Sequence, residues 1–206
     1  MKLFPALLVI LFITACKDNS SQSAGNTPAT GKDSTAADSA AAYLPIIELI
    51  RQDLRQVDSF AGGILKKTTI NGKKDSLFIK PAAFHQAAAA FLMPELETTT
   101  FRQKFTESSL ADQSTGQLQF IYTPNDPAIA LRNVVAYITP SASPSGDQVN
   151  RFYLEKEWAA GDTAVQQKLT WKTHQYFYIV TIRRPGKGPA ITSIEKLIWD
   201  PEQFGE

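Results

Sequence analysis

The chain of 206 residues carries 21 lysines and arginines against 20 aspartates and glutamates, with two histidines and a single cysteine. So even a balance creates no global field to draw in nucleic acid or another polyanion. One cysteine permits no internal disulfide, and a chain of this length can stabilise one packed core without such staples.

The first segment is MKLFPALLVILFITAC. Lys2 gives a positive start, Leu3 to Ile13 an apolar middle, and Thr14-Ala15 the small residues needed beside a cleavage point. A spanning helix needs about 20 apolar residues, so this stretch reads as a removable export signal and not as a membrane span. Ile13-Thr14-Ala15-Cys16 resembles the lipobox of bacterial lipoproteins. The resemblance implies that residues 1–15 are removed and that the thiol of Cys16 carries diacyl lipid of the palmitate class. Cys16 is then a membrane anchor and not a nucleophile, since each buried methylene contributes about 0.8 kcal/mol and two or more chains hold a protein almost permanently. Loss of Lys2 with the signal leaves 20 basic and 20 acidic residues.

Lys17, and not an aspartate, follows Cys16, and under the enterobacterial sorting pattern this implies the outer membrane. Cys16-Lys17-Asp18 is also similar to the start of the export signal of Bacteroidota surface lipoproteins, although Asn19 stands where that signal prefers an acid. Periplasmic and surface-facing orientations both remain open. Residues 16–42 then form the lipidated cysteine and a tether of Ser, Thr, Ala, Asp, Asn and Gly without large apolar side chains. Such a segment cannot offset its chain entropy by burial. As a flexible coil it sets the following domain roughly 25 to 30 Å from its anchor. Gly31-Lys32-Asp33-Ser34 lacks the strand and the adjacent hydroxyl that a phosphate loop requires.

Residues 43–206 read as a single α+β domain. Ile46, Ile47, Ile50, Leu54, Val57 and Phe60 recur at helical spacing, with Glu48, Arg51, Gln52, Asp53, Arg55 and Gln56 on the other face, and Gly62-Gly63 ends the helix. ILKKTTI and KKDSLFI flank Asn71-Gly72, a pair suited to a two-residue hairpin turn because both accept positive φ. Lys80-Pro81 opens a second helix, PAAFHQAAAAFLM, which Pro94 stops or kinks. From about Phe101 onward nearly everything reads as strand. GQLQFIY and VQQKLTWK alternate with period two, NVVAYIT and YFYIVTI suit central strands, NRFYLEKEW suits a half-exposed one, and ITSIEKLIW comes last. The expectation is two N-terminal helices with an intervening hairpin, packed on a curved antiparallel sheet of about six to eight strands.

The chemical inventory is thin. His85 and His174 are the only imidazoles, too few for a metal centre, and both read as structural. No metal and no cofactor is expected, and no nucleophile elbow, metalloprotease helix or dinucleotide fingerprint occurs. Glu155 and Glu157 share a strand face at a spacing of two, the geometry of a carboxylate pair, and also of an ordinary solvated face. Two basic clusters stand out: Lys66, Lys67, Lys73 and Lys74 around the hairpin, and Arg183, Arg184 and Lys187 before the last strand. If their loops meet, they would contact anionic head groups or an acidic partner, whereas singly such lysines deter edge-to-edge aggregation. The aromatic residues Phe120, Tyr122, Tyr137, Phe152, Tyr153, Trp158, Trp171, Tyr176, Phe177, Tyr178 and Trp199 fall on predicted strands, where the default expectation is core.

The order of lipobox, Ser/Thr/Ala tether, amphipathic helix, Lys-Lys-x-x-x-Asn-Gly hairpin, helix ending near Pro94-Glu95 and long meander resembles small lipoproteins of Bacteroidota that carry no assigned activity. The layout is more distantly similar to the lipoprotein-localisation carriers, whose curved sheet holds acyl chains. The expected function is that of a lipid-anchored envelope protein that binds a protein partner or an apolar ligand without catalysis. The alternatives are an envelope hydrolase using strand carboxylates such as Glu155 and Glu157, and a lipid or lipoprotein carrier with a curved-sheet groove. No nucleic-acid partner is expected.

Overall fold

The computed structural model describes residues 43–59, 62–141 and 148–205. The export signal, Cys16, the tether and Phe60 lie outside the described residues. Among the described residues, no helix is long and apolar enough to cross a membrane.

Helix α1 (Ile46–Ser59) buries Ile46, Ile47, Ile50, Leu54 and Val57 in the core. Its solvent face is tied to later chain by Arg51, which pairs with Glu48 and, at 2.9 Å, with Glu97. Strands β1 (Ile64–Ile70) and β2 (Lys73–Ile79) form the expected hairpin, with Asn71 at φ 46° and Gly72 at φ 85° in its turn. Helix α2 (Pro81–Ala88) is shorter than its sequence suggests. It tightens to a 3-10 turn at Ala89–Phe91, and a second 3-10 turn covers Pro94–Leu96. Pro94 forces Met93 into extended backbone, so the helix cannot continue through that point. The tightened turn carries Phe91 onto Trp171 and Phe177, each at 5.1 Å between ring centres.

A third helix, α3 (Thr98–Lys104), corrects the expectation of two. Its three consecutive threonines are poor helix formers, so local propensity conceals it. One buried side chain, Phe101, holds it down through ring contacts with Phe105 at 4.8 Å and Tyr122 at 4.7 Å.

The remaining strands are β3 (Phe105–Asp112), β4 (Gln117–Pro124), β5 (Leu131–Thr139), β6 (Gln148–Ala160), β7 (Thr163–Lys172), β8 (Tyr176–Arg184) and β9 (Ile191–Ile198). The chain thus builds one open antiparallel sheet of nine strands in the order β2-β1-β9-β8-β7-β6-β5-β4-β3. Nine exceeds the expected six to eight because the N-terminal hairpin belongs to the sheet: β1 pairs with β9 from Leu65↔Ile198 to Ile70↔Ser193. The meander therefore starts at one edge, with β3, and runs across the sheet to pair with the hairpin, whose β2 forms the other edge.

Period-two alternation divides the sheet into a helix-covered face and an outer face. Phe152, Leu154, Leu169, Trp171, Phe177, Ile179 and Leu197 point to the helices and join one buried cluster with the apolar residues of α1, α2 and α3. Phe84 of α2 lies 5.4 Å from Phe177 and 5.3 Å from Trp199, and Trp171 stacks on Phe177 at 5.0 Å. Aromatic side chains thus fill that face where the helices cross it. Tyr137, Tyr153, Tyr176 and Tyr178 are not core, contrary to expectation: the alternation that buries Phe152 and Phe177 turns these tyrosines to the outer face. Trp158 is also outside the core, at 37 % exposure.

Candidate functional site

The two basic clusters reach the same end of the sheet. The backbone N–H of Asn71, at the hairpin tip, donates to the carbonyl of Thr192 at 3.1 Å, and the side-chain oxygen of Asn71 accepts from the N–H of Thr192 at 3.3 Å. These bonds fix the β1–β2 turn beside the start of β9, next to the connection that carries Lys187. Strand alternation nevertheless splits the clusters between the two faces. Lys66 faces the helix side and pairs with Glu195 at 2.8 Å, and Lys73, opposite Ile70, shares that side with Arg183. Lys67, Lys74 and Arg184 belong to the outer face.

On the outer face, Lys67, Lys74 and Lys196 border a cavity of about 500 Å³ together with Thr69, Ser76 and Ile194. Lys67 Nζ donates to the carbonyl of Phe204 at 3.2 Å, and Lys196 lies 4.3 Å from the centre of the Tyr176 ring. Phe204 also packs on Phe78 at 5.7 Å, so the C-terminal segment covers this corner of the sheet. Sequence reasoning misses Lys196, although it follows Ile194 by two in ITSIEKLIW and therefore shares its face.

The helix-covered face has an open end. The buried core stops at the row Leu154–Leu169–Ile179 across β6, β7 and β8. Two further rows lie beyond it on the same face: Lys156–Gln167–Thr181–Ser193–Ile70, and Trp158–Val165–Arg183–Ile191. Part of this surface is a cavity of about 270 Å³ bordered by Ile70, Gln167, Thr181, Arg183, Ser193 and Glu195. Ile70 is 54 % and Ile191 41 % exposed. Gln167 donates to the Thr181 hydroxyl at 3.1 Å. Lys156 lies 5.5 Å from the Trp158 ring centre, and burial pushes its ammonium pKa down, with Glu95 acting in the opposite sense. A mainly polar row and a mainly apolar row thus lie side by side on a shelf that carries cationic groups at Lys156 and Arg183.

Asp53, placed on the polar face of α1 by its residue type, is instead buried at 1 % exposure. Its carboxylate accepts from Trp171 Nε1 at 2.7 Å and from the backbone N–H of His174 at 3.0 Å, and it contacts His174 Nδ1 at 2.7 Å. Gln56 Oε1 also lies 2.9 Å from that nitrogen. His174, at φ 63°, occupies the β7–β8 turn and so joins α1 to the sheet. The arrangement resembles the orienting half of a nucleophilic triad, but the partners of this imidazole among the described residues are Asp53 and Gln56, with no hydroxyl to activate. His85 Nε2 contacts Asp58 Oδ1 at 2.7 Å and ties α2 to α1.

Glu155 and Glu157 do share the outer face. A single amide, Gln166 Nε2, donates to Glu155 at 2.8 Å and to Glu157 at 2.9 Å, while Tyr153 donates to Glu155 at 3.4 Å and Arg132 lies 3.9 Å from Glu157. Two acceptors held by one donor are a structural clamp between β6 and β7. Among the described residues, no group of three or more His, Cys, Asp or Glu side chains comes together as a metal site would require. No protein-family model matches the chain, and neither a curated protein nor a solved structure matches it.

Proposed function

We propose that this chain is a cell-envelope lipoprotein, anchored through Cys16 in the outer membrane, whose folded part binds a ligand without catalysis. The ligand site is the open end of the helix-covered face, and the ligand class is an apolar molecule bearing a negative charge. The observation that carries this is the pair of rows beyond the core, where exposed Ile70, Ile191 and Trp158 stand beside Lys156 and Arg183. Apolar surface with a few convergent polar groups is what small-molecule sites offer. Val165 and Thr181 are only 5 % and 6 % exposed although they lie past the helix-covered core, with Trp158 and Arg183 on either side of Val165 and Gln167 and Ser193 on either side of Thr181.

Two measurements test this function. Metabolic labelling with a palmitate analogue should mark the chain in its host and fail for Cys16→Ala. Native mass spectrometry of protein purified gently from the host envelope should then reveal a co-purifying molecule of defined mass. A protein that carries no label, or one that consistently emerges without ligand, would defeat the anchoring or the binding respectively.

A further inference from the structure

The outer face has a chemistry that the net charge conceals. Across β1, β9, β8, β7 and β6 its register runs Lys67–Lys196–Tyr178–Thr170–Tyr153, and the neighbouring row across β8, β7, β6 and β5 runs Tyr176–Lys172–Arg151–Tyr137. Lys74 and Lys168 extend the cationic character towards the β2 edge and the middle of the sheet. Cationic side chains thus share these rows with tyrosines, and the guanidinium of Arg151 sits 4.0 Å above the Tyr137 ring. The acids on this face, Glu155 and Glu157 held by Gln166 and Asp112 held by Ser114 and Thr115, keep their charge, but none of them falls in these two rows, and Glu155 stands opposite Lys168.

Apolar side chains stand at both margins of the same face. Phe78 on the β2 edge is 64 % exposed and Leu110 on the β3 edge 54 %, with Ile194 between at 38 %. Nine strands at about 4.8 Å separation give a face roughly 40 Å wide, and among the described residues α1, α2 and α3 pack on the other side while the C-terminal segment at Phe204 covers one corner of this one. A small anion would engage one corner of such a face. An extended surface that offers negative charge at many points and accepts an aromatic tip just below it would engage both cationic rows.

We infer that the outer face of the sheet docks on an anionic phospholipid surface, with Lys74, Lys168, Lys196 and Arg151 meeting phosphate groups and Phe78, on the same margin as Lys74, entering the head-group layer. The docking does not depend on the ligand shelf, which is on the opposite face, nor on the lipid at Cys16. Burial already lowers the pKa of Lys172, with Arg151 adding to the effect, and nearby phosphate would oppose that shift.

The test uses the full chain with Cys16→Ser, so that no acyl anchor contributes, and sedimentation with vesicles of phosphatidylcholine alone or mixed with phosphatidylglycerol. The apolar N-terminal segment is common to every variant, so the readout is the difference between variants and between vesicles. Binding should be stronger on the anionic vesicles, fall with added salt, and drop about tenfold or more for Lys74→Glu/Lys168→Glu. Arg55→Glu, on the exposed side of α1 and away from both the outer face and the shelf, should retain it, and circular dichroism of each variant verifies the fold. Lys74→Gln/Lys168→Gln, which adds no negative charge, should show a smaller drop in the same direction. Equal binding to both vesicles, or insensitivity to the lysine substitutions, would overturn the inference. So would binding to soluble polyphosphate as tight as to vesicles and lost in the same variants, which would point to a dissolved acidic polymer.

Discussion

The carboxylate of Asp53, in the middle of α1, accepts the indole N–H of Trp171 at 2.7 Å across 118 positions of sequence. The bond joins the first helix to the central strand β7, and the same carboxylate oxygen accepts the N–H of His174 in the following turn. One buried acid thus aligns helix, strand and turn.

Removal of that acid leaves the buried indole N–H of Trp171 and the half-buried amide of His174 without their acceptor. Asp53→Ala is expected to lower unfolding free energy by about 3 kcal/mol, and Asp53→Asn, which keeps an acceptor for Trp171, by about 1 to 2 kcal/mol. Urea unfolding followed by tryptophan fluorescence measures both, with an unchanged slope marking a pure stability effect. An Asp53→Ala midpoint equal to that of the parent would show the bond to be dispensable.

The position of Asp53 was legible, but its role was not. It stands three residues after Ile50 and seven after Ile46, so helical spacing already puts it on the apolar stripe. Its charge argued for water, and only a partner 118 residues away reverses that argument. The same division runs through the sheet. Alternation within VQQKLTWK separates Leu169 and Trp171 from Lys168 and Lys172 correctly, because a strand's period is local. That β1 neighbours β9 is a long-range fact with no local signal. The basic clusters were readable as clusters, yet consecutive residues such as Lys66 and Lys67 point to opposite faces, so a run of charge on a strand never makes one patch. Helix α3 was hidden for a different reason, since tertiary contacts of Phe101 outweigh the low propensity of Thr98, Thr99 and Thr100.

The Asn71-Gly72 turn should control the joining of the basic loops. Gly72 at φ 85° has nothing within 4 Å of an added Cβ, so the cost of a side chain there is backbone strain and not collision. Gly72→Val is expected to cost about 1 to 2 kcal/mol, as a β-branched residue at positive φ does. Hydrogen exchange should accelerate at the amides of Asn71 and Thr192, while the near-ultraviolet signal of buried Trp171 stays unchanged. Unaltered exchange at both amides would show that the turn does not govern this contact.

The β3–β4 turn should respond to acid. Hydrogen bonds from the Ser114 and Thr115 hydroxyls, then from the Ser114 amide, pull the Asp112 carboxyl down from 3.8 to about 2. The folded value lies below the ordinary one, so the folded turn favours the ionised carboxylate. Its stabilisation is fully present above pH 3.8 and is lost as pH falls through about 2. The Ser114 amide resonance should titrate with that low midpoint and lose the transition in Asp112→Asn. A midpoint at the ordinary aspartate value would mean that the hydroxyls do not hold the carboxylate in solution.

The ligand shelf can be read through its own fluorophore. Of the three tryptophans, Trp171 and Trp199 are buried at 0 % and 4 % exposure, whereas Trp158 at 37 % stands on the shelf beside Lys156. An apolar ligand that covers Trp158 displaces water from the ring and should shift its emission to shorter wavelength. Titration with a long-chain fatty acid, which joins an apolar body to a carboxylate, is therefore expected to shift the parent and leave Trp158→Phe silent. Arg183→Glu replaces attraction with repulsion of the acid and should weaken the apparent affinity by about tenfold or more. The long-chain alcohol of equal length lacks the charge, so it should bind less tightly to the parent and respond little to Arg183→Glu. Equal affinity for acid and alcohol in both proteins would show that the cationic groups take no part in recognition, and a spectrum unmoved by either ligand would remove the shelf as an apolar site.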